Sequence, residues 1–173
     1  MSSSDELYKE AIGAFGPALE RLARGYEADA EMRRDLLQEI HIALWRSFSG
    51  FDGRCSLRTW VYRVAHNRAV SYVRTSRFRN ERGIVNESEI ETPAPREDRE
   101  LELDRAQAQE RLLSLIRQLP PLNRQIICLH LEGMDAASIA EIVGLSTSHV
   151  HTKVHRLKEA LIEDVRKGKS HVR

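Results

Sequence analysis

Ser148, His149, His151, Thr152, Lys153, His155 and Arg156 lie close together near one end of the chain, and all seven side chains can hydrogen-bond. Between and beyond them Val150, Val154, Leu157 and Leu161 recur at helical spacing. A helix with this pattern buries the four apolar residues and turns a polar, mildly basic face outward. Such a face carries the donors needed to meet base edges and phosphates in a DNA groove. The plainer reading is a solvated face on a helical hairpin. The residues just before favour groove reading. Ala140 is small enough for two helices to approach closely, Gly144 can supply a positive φ, Leu145 can plug the turn, and Ser146 can cap the next helix. His151 and His155, four apart, could in principle share a metal. With no acidic or cysteine partner evident nearby, they are expected to contact DNA, and no metal is expected.

Two other clusters carry polar chemistry. Asp35, Gln38 and Glu39 fall within one helical turn and make a compact patch suited to pairing with arginines of a partner. From Phe51 to Arg82 aromatic residues interleave with arginines: Phe51, Trp60 and Tyr62 among Arg63, Arg68, Arg74 and Arg77. That combination suits stacking on bases beside charged contacts to a backbone. There is no Walker loop, no G-x-S-x-G, no H-E-x-x-H and no suggestive carboxylate pair, so the chain is not expected to be an enzyme and no cofactor is expected. Cys55 and Cys128 are too far apart in sequence to suggest a zinc pair or a disulfide framework.

The elements that hold these clusters read as helix almost throughout. Residues 5–24 carry Leu7, Ile12, Phe15, Leu19 and Leu22 at helical spacing, with Pro17 as a kink or a break near Gly16. Residues 32–48 show one wide apolar stripe of Leu36, Leu37, Ile40, Leu44, Trp45 and Phe48. A turn with two glycines at 49–53 leads to a helix over 56–78 capped by Ser56. Helical pattern is lost over 80–100, where Pro93, Pro95 and many acids predict a flexible linker. Helices follow at 100–118, 122–132, 136–143 and 147–165. The 173 residues carry a net charge of +1, and the balance hides blocks. Residues 50–82 hold eight arginines against two acids, 83–114 hold nine acids, and 145–173 are basic again. Two polyanion-facing surfaces joined by an acidic tether would have this pattern. No run of apolar residues is long enough to span a membrane and no secretory signal is seen, so a cytoplasmic, reduced protein without membrane insertion is expected.

Read together, D-L-L-Q-E-x(5)-W-R at 35–46, F-D-G-x(6)-W-V-Y-R-V-A-H-N at 51–67, L-P-P-L-N-R at 119–124 and S-I-A-E-I-V-G-L-S-x(3)-V-H-T-K-V-H-R at 138–156 make the chain similar to the extracytoplasmic-function (ECF) sigma factors of bacterial RNA polymerase, in the sigma-70 family. The resemblance covers nearly the whole chain. It implies an all-α protein of two small helical domains joined by a flexible acidic linker, the C-terminal one a helix-turn-helix. Residues 1–82 would be sigma region 2, 83–104 the linker and 105–173 sigma region 4. It implies promoter-specific transcription initiation, often in a stress response, with core RNA polymerase, through its β′ clamp and β flap, and promoter DNA as partners. An anti-sigma factor is a further expected partner. Asp35, Leu36, Gln38 and Glu39 match the family's clamp-binding helix. Phe51 and Asn67 match positions around the pocket for a flipped −10 base, and Arg63, Arg68, Arg74 and Arg77 would meet phosphates. The seven polar residues from Ser148 to Arg156 would read the −35 element. The family often has Gly-Thr in place of Ser148-His149 and Lys-Ser-Arg in place of His151-Thr152-Lys153, which implies a different sequence read. A stand-alone helix-turn-helix regulator is the alternative, although no ligand pocket or dimer coiled coil is evident for it.

Overall fold

A computed structural model describes the backbone of residues 3–80 and 99–169 and the side chains of residues 3–75 and 105–167. The described residues form α1 (Ser4–Tyr26), α2 (Ala30–Ser47), α3 (Leu57–Asn80), α4 (Arg99–Gln118), α5 (Pro121–Leu131), α6 (Ala136–Val143) and α7 (Thr147–Lys169), with a single 3-10 turn at Phe48–Gly50 and no strand among them. Most of the expected linker, residues 81–98, lies outside the described residues.

Local chemistry accounts for the helix ends. Ser3 and Glu6 close a capping box on α1: the Glu6 amide donates to the Ser3 hydroxyl at 3.2 Å and the Ser3 amide to the Glu6 carboxylate at 2.9 Å. Asp29 caps α2 by accepting from the Met32 amide at 2.8 Å, and Ser56 caps α3 by accepting from Thr59 at 3.0 Å. Pro17 neither kinks α1 apart nor ends it. The bond it forfeits is the one to the Gly13 carbonyl four residues back. Gly13 is exposed with open space around it, so water can take that carbonyl.

Helices α1, α2 and α3 pack around Leu19, Leu22, Leu36, Ile40, Leu44 and Val61, each at most 2% exposed. Helices α4 to α7 enclose Ile116, Ile126, Ile127, Leu129, Ile139 and Val150 in the same way. Spacing alone puts Trp45 in the buried stripe of α2, and here the structure differs. Leu36, Ile40 and Leu44 are four apart and drift slowly around the helix, whereas Trp45 follows Leu44 by a further 100°. It emerges on the far side, 52% exposed, with its indole N–H donating to Asp5 at 2.9 Å.

The two helical groups, expected to be joined by a flexible linker, meet at a junction in which α1 packs on α4 and α5, and α3 on α5 and α6. Arg124, 2% exposed, donates to the carbonyls of Arg117 and Leu119 at the end of α4 and lies over the Tyr26 ring of α1 at 5.3 Å. Arg117 donates to the Arg24 carbonyl at 2.9 Å. A half-open cavity of about 190 Å³ remains at the junction, bordered by Leu22, Leu112, Ile116 and the buried His66.

Candidate nucleic-acid and polymerase interfaces

The helix-turn-helix is built as its residues require. Asp135 caps α6 by accepting from the Ser138 amide at 2.9 Å, and that bond holds its carboxyl below the usual range. Gly144 ends α6 at φ 72°, in the left-handed region, with its amide bonded to Ala140 at 2.9 Å. Ser146 then accepts from the His149 amide at 3.3 Å to start α7. Val150, Leu157 and Leu161 are buried and Val154 is half-buried, which turns the opposite arc to solvent. Ser148, His149, His151, Thr152, His155 and Arg156 all lie on that exposed arc. Lys153 departs from it: the side chain is half-buried and its ammonium reaches Asn123 of α5 at 3.3 Å. His155 is 3.1 Å from Glu159, an ion pair only when the imidazole is protonated.

Asp35 and Gln38 are exposed on α2. Leu36 has no exposed surface, so it supports this helix from within the core and offers nothing to a partner. Glu39 is half-buried and held by Arg68 of α3 at 2.5 Å. Two exposed apolar residues, Ile42 and Trp45, extend the Asp35–Gln38 face by two further turns. At 100° per residue the four fall on an arc of about 80°. Ile42 was not recognisable as part of this face from its residue type. Its phase with Gln38 rather than Ile40 is the signal that marks it.

On α3, Arg63, Asn67 and Arg74 stand four and seven residues apart and share one face. Asn67 and Arg74 are exposed. Arg68 lies on another side, facing α2, so it is not grouped with the other arginines. The side chain of Arg77 lies outside the described residues. Phe51 is half-buried, edge-on to Trp60 with ring centroids 5.4 Å apart and edge-on to Phe48 at 6.4 Å. The Trp60 N–H donates to Ser47 at 3.0 Å, so this aromatic is part of the packing that fixes Phe51.

Four residues outside the sequence expectation dominate the junction. Glu132 caps the end of α5 and is 13% exposed. Its carboxylate accepts two bonds from Arg21, at 2.8 and 2.7 Å, and one from the Tyr62 hydroxyl at 3.2 Å. Its carbonyl accepts from Arg58 at 2.5 Å. Arg63 is bound to Glu141 of α6 at 2.6 Å. Burial, with the nearby Glu132 carboxylate adding to it, pushes the Tyr62 phenol up to about 12. Partners separated by 70 residues or more leave no spacing signal.

The sigma-70 region 2 family model matches residues 11–79, and the sigma-70 region 4 model matches residues 109–161. The chain is 26% identical over 144 residues to the RNA polymerase sigma factor YlaC of Bacillus subtilis, covering 83% of each chain. It is 28% identical over 140 residues to the ECF RNA polymerase sigma-E factor of Haemophilus influenzae, covering 73% of this chain and 71% of that one. In fold it is similar to RpoE of Bartonella quintana, solved in complex with the anti-sigma factor NepR, with a TM-score of 0.68, 20% identity and coverage of 92% and 96%. It is also similar to CnrH in complex with the cytosolic domain of CnrY, with a TM-score of 0.64, 21% identity and coverage of 92% and 88%. Sigma-70 regions 2 and 4, matched in this order along one chain, define a sigma-type transcription initiation factor. The chain belongs to the ECF group of the sigma-70 family.

Proposed function

We infer that this chain is a promoter-specificity subunit that binds core RNA polymerase and directs initiation, with no catalytic chemistry of its own. The observation that carries this is the succession of sigma-70 regions 2 and 4 along one chain. It favours this reading over a stand-alone helix-turn-helix regulator, which needs no region 2. Residues 1–82 act as region 2, 83–104 as the tether and 105–173 as region 4. The exposed face of α2, with Asp35 and Gln38 beside Ile42 and Trp45, meets the polymerase clamp. Polar groups there set orientation and the two apolar groups supply buried area. Arg63, Asn67 and Arg74 on α3 follow the −10 strand, with Phe51 beside a displaced base. The exposed arc of α7 reads the −35 element, and Lys153, tied to Asn123, stands at its border.

Anti-sigma control is a further reading, supported by the two structural relatives solved with such partners or with a named cytosolic domain. The deciding experiment is run-off transcription by core enzyme plus this protein on a randomised promoter library. Enrichment of two sequence elements at fixed spacing is expected. Replacing Asp35 and Gln38 together by alanine should weaken core binding about tenfold or more, as loss of two oriented polar contacts does. Library transcripts without enrichment, or core binding untouched by the double replacement, would overturn the reading.

A further inference from the structure

The half-open cavity of about 190 Å³ lies where α1, α3, α4 and α5 meet, and most of its wall is hydrocarbon. Leu112, Leu113 and Ile116 share one face of α4 and border it together with Leu22 of α1. Half-buried Leu113 and 56% exposed Leu131 stand outside the packed core, and both border this space. At Gly25 of α1 a Cβ would stand 3.1 Å from the Cys128 sulfur, tighter than ordinary contact, so the wall there carries no side chain. A cavity of about 150 Å³ lined by such residues takes up benzene. The one here suits a ring with a short substituent. We propose that it binds a small neutral carbonyl compound of that size, with the apolar body among these leucines and the oxygen accepting from Nε2 of His66.

His66 supplies the polar end. It borders the cavity, has no exposed surface, and its Nε2 has no hydrogen-bond partner among the described residues. Its Nδ1 lies 3.0 Å from the hydroxyl of Tyr26, itself 4% exposed. Burial raises the Tyr26 phenol well above its usual range, so the hydroxyl keeps its proton. Donation of that proton to Nδ1 puts the ring hydrogen on Nε2 and leaves one donor unmatched. The opposite tautomer would leave both the phenol hydrogen and the Nε2 lone pair unmatched, which costs more. Burial also holds the ring neutral, so Nε2 offers one N–H and no charge. An unmatched buried donor of this kind calls for an acceptor oxygen.

The charges around the cavity select a neutral ligand. Arg21 and Glu132 both border it, but they are bound to each other at 2.8 and 2.7 Å. The Glu132 carboxylate would repel an anion, and exposed Arg24, also at the border, is screened by water. Water itself fits the inner end poorly, because a buried water needs two to four polar partners and His66 offers one. The oxygen reaches His66 by displacing a bordering side chain, and Leu112 and Leu113, only half-buried, are placed to give way.

Acetophenone and α-methylstyrene provide the test, since they share a shape and differ by a carbonyl oxygen against a methylene. Each would be titrated into isotope-labelled full-length protein at neutral pH and followed by NMR. Acetophenone should bind saturably with a Kd below about 1 mM, the range open to a ligand of its size. Its protons should show contacts to the methyls of Leu112, Leu113 and Ile116, and the Nε2–H resonance of His66 should shift. α-Methylstyrene should bind severalfold more weakly and leave that resonance in place, because it gives the N–H no acceptor. Leu113→Trp, outside the packed core, should fill the cavity and abolish binding. If that variant fails to fold, the contacts mapped on unaltered protein decide alone. Absence of saturable binding by acetophenone, contacts mapped to another part of the molecule, equal affinity for the two compounds, or full binding by folded Leu113→Trp protein would each overturn the proposal. Polymerase and promoter take no part in these measurements, so their outcome does not depend on the sigma reading.

Discussion

His66 occupies the most enclosed polar position described, with no exposed surface and its Nδ1 3.0 Å from the Tyr26 hydroxyl. Burial pushes its pKa down from 6.5 to about 3. The folded state thus holds this imidazole neutral, while the unfolded chain protonates it near 6.5. Its stabilising contribution is complete above that value and is lost as the pH falls toward 3. Linkage puts the loss at about 2 kcal/mol on going from about pH 7 to about pH 5. Denaturant titrations at the two pH values should show that difference, and a His66→Gln variant, which takes up no proton, should lack it. An equal slope in the variant would assign acid sensitivity to other groups. The sequence places His66 inside a family motif among functional neighbours, but only the structure reveals that its role is enclosure against Tyr26 and Tyr62. Arg58, Glu132 and Glu141 were equally hidden, because polar residues at these positions look like any solvated face until a distant partner is known.

Among the elements, the α6–α7 turn shows how far periodicity and turn chemistry reach. Gly144, Ser146 and the apolar register of α7 were all legible, because each depends on residues within two helical turns of itself. Gly144 makes a quantitative case. A Cβ there would touch nothing within 4 Å, so only its positive φ resists substitution. Gly144→Ala should therefore cost about 1–2 kcal/mol through backbone strain alone, read as a lower unfolding midpoint. A neutral result would mean that the turn relaxes to another conformation. The Trp45 orientation was misread for the opposite reason. An amphipathic stripe predicts a buried arc, but its width is set by the neighbours α1 and α3, and their placement is a tertiary fact. The caps at Ser3 and Asp29 follow the same local rules as Ser146.

At the scale of the whole molecule, two modules of ordinary helical packing meet across a junction of partly exposed ion pairs and a shared void. Composition and charge blocks divided the chain into two parts, and a division into two helical groups is visible in the structure. What the blocks could not convey is that carboxylates of one half satisfy arginines of the other, since net charge per segment says nothing about which surfaces touch. Cys128 lies on α5 against Gly25 of α1, 8% exposed, and burial pushes its thiol up to about 12. A thiol so placed is nearly inert to alkylating reagents while the modules are together. Its rate of modification by such a reagent should then count how often the halves part, slow in the protein alone and faster once polymerase is added. Mass spectrometry over time would follow this clock on unaltered protein, and a rate indifferent to polymerase would show that Cys128 is reached by some smaller breathing of α5.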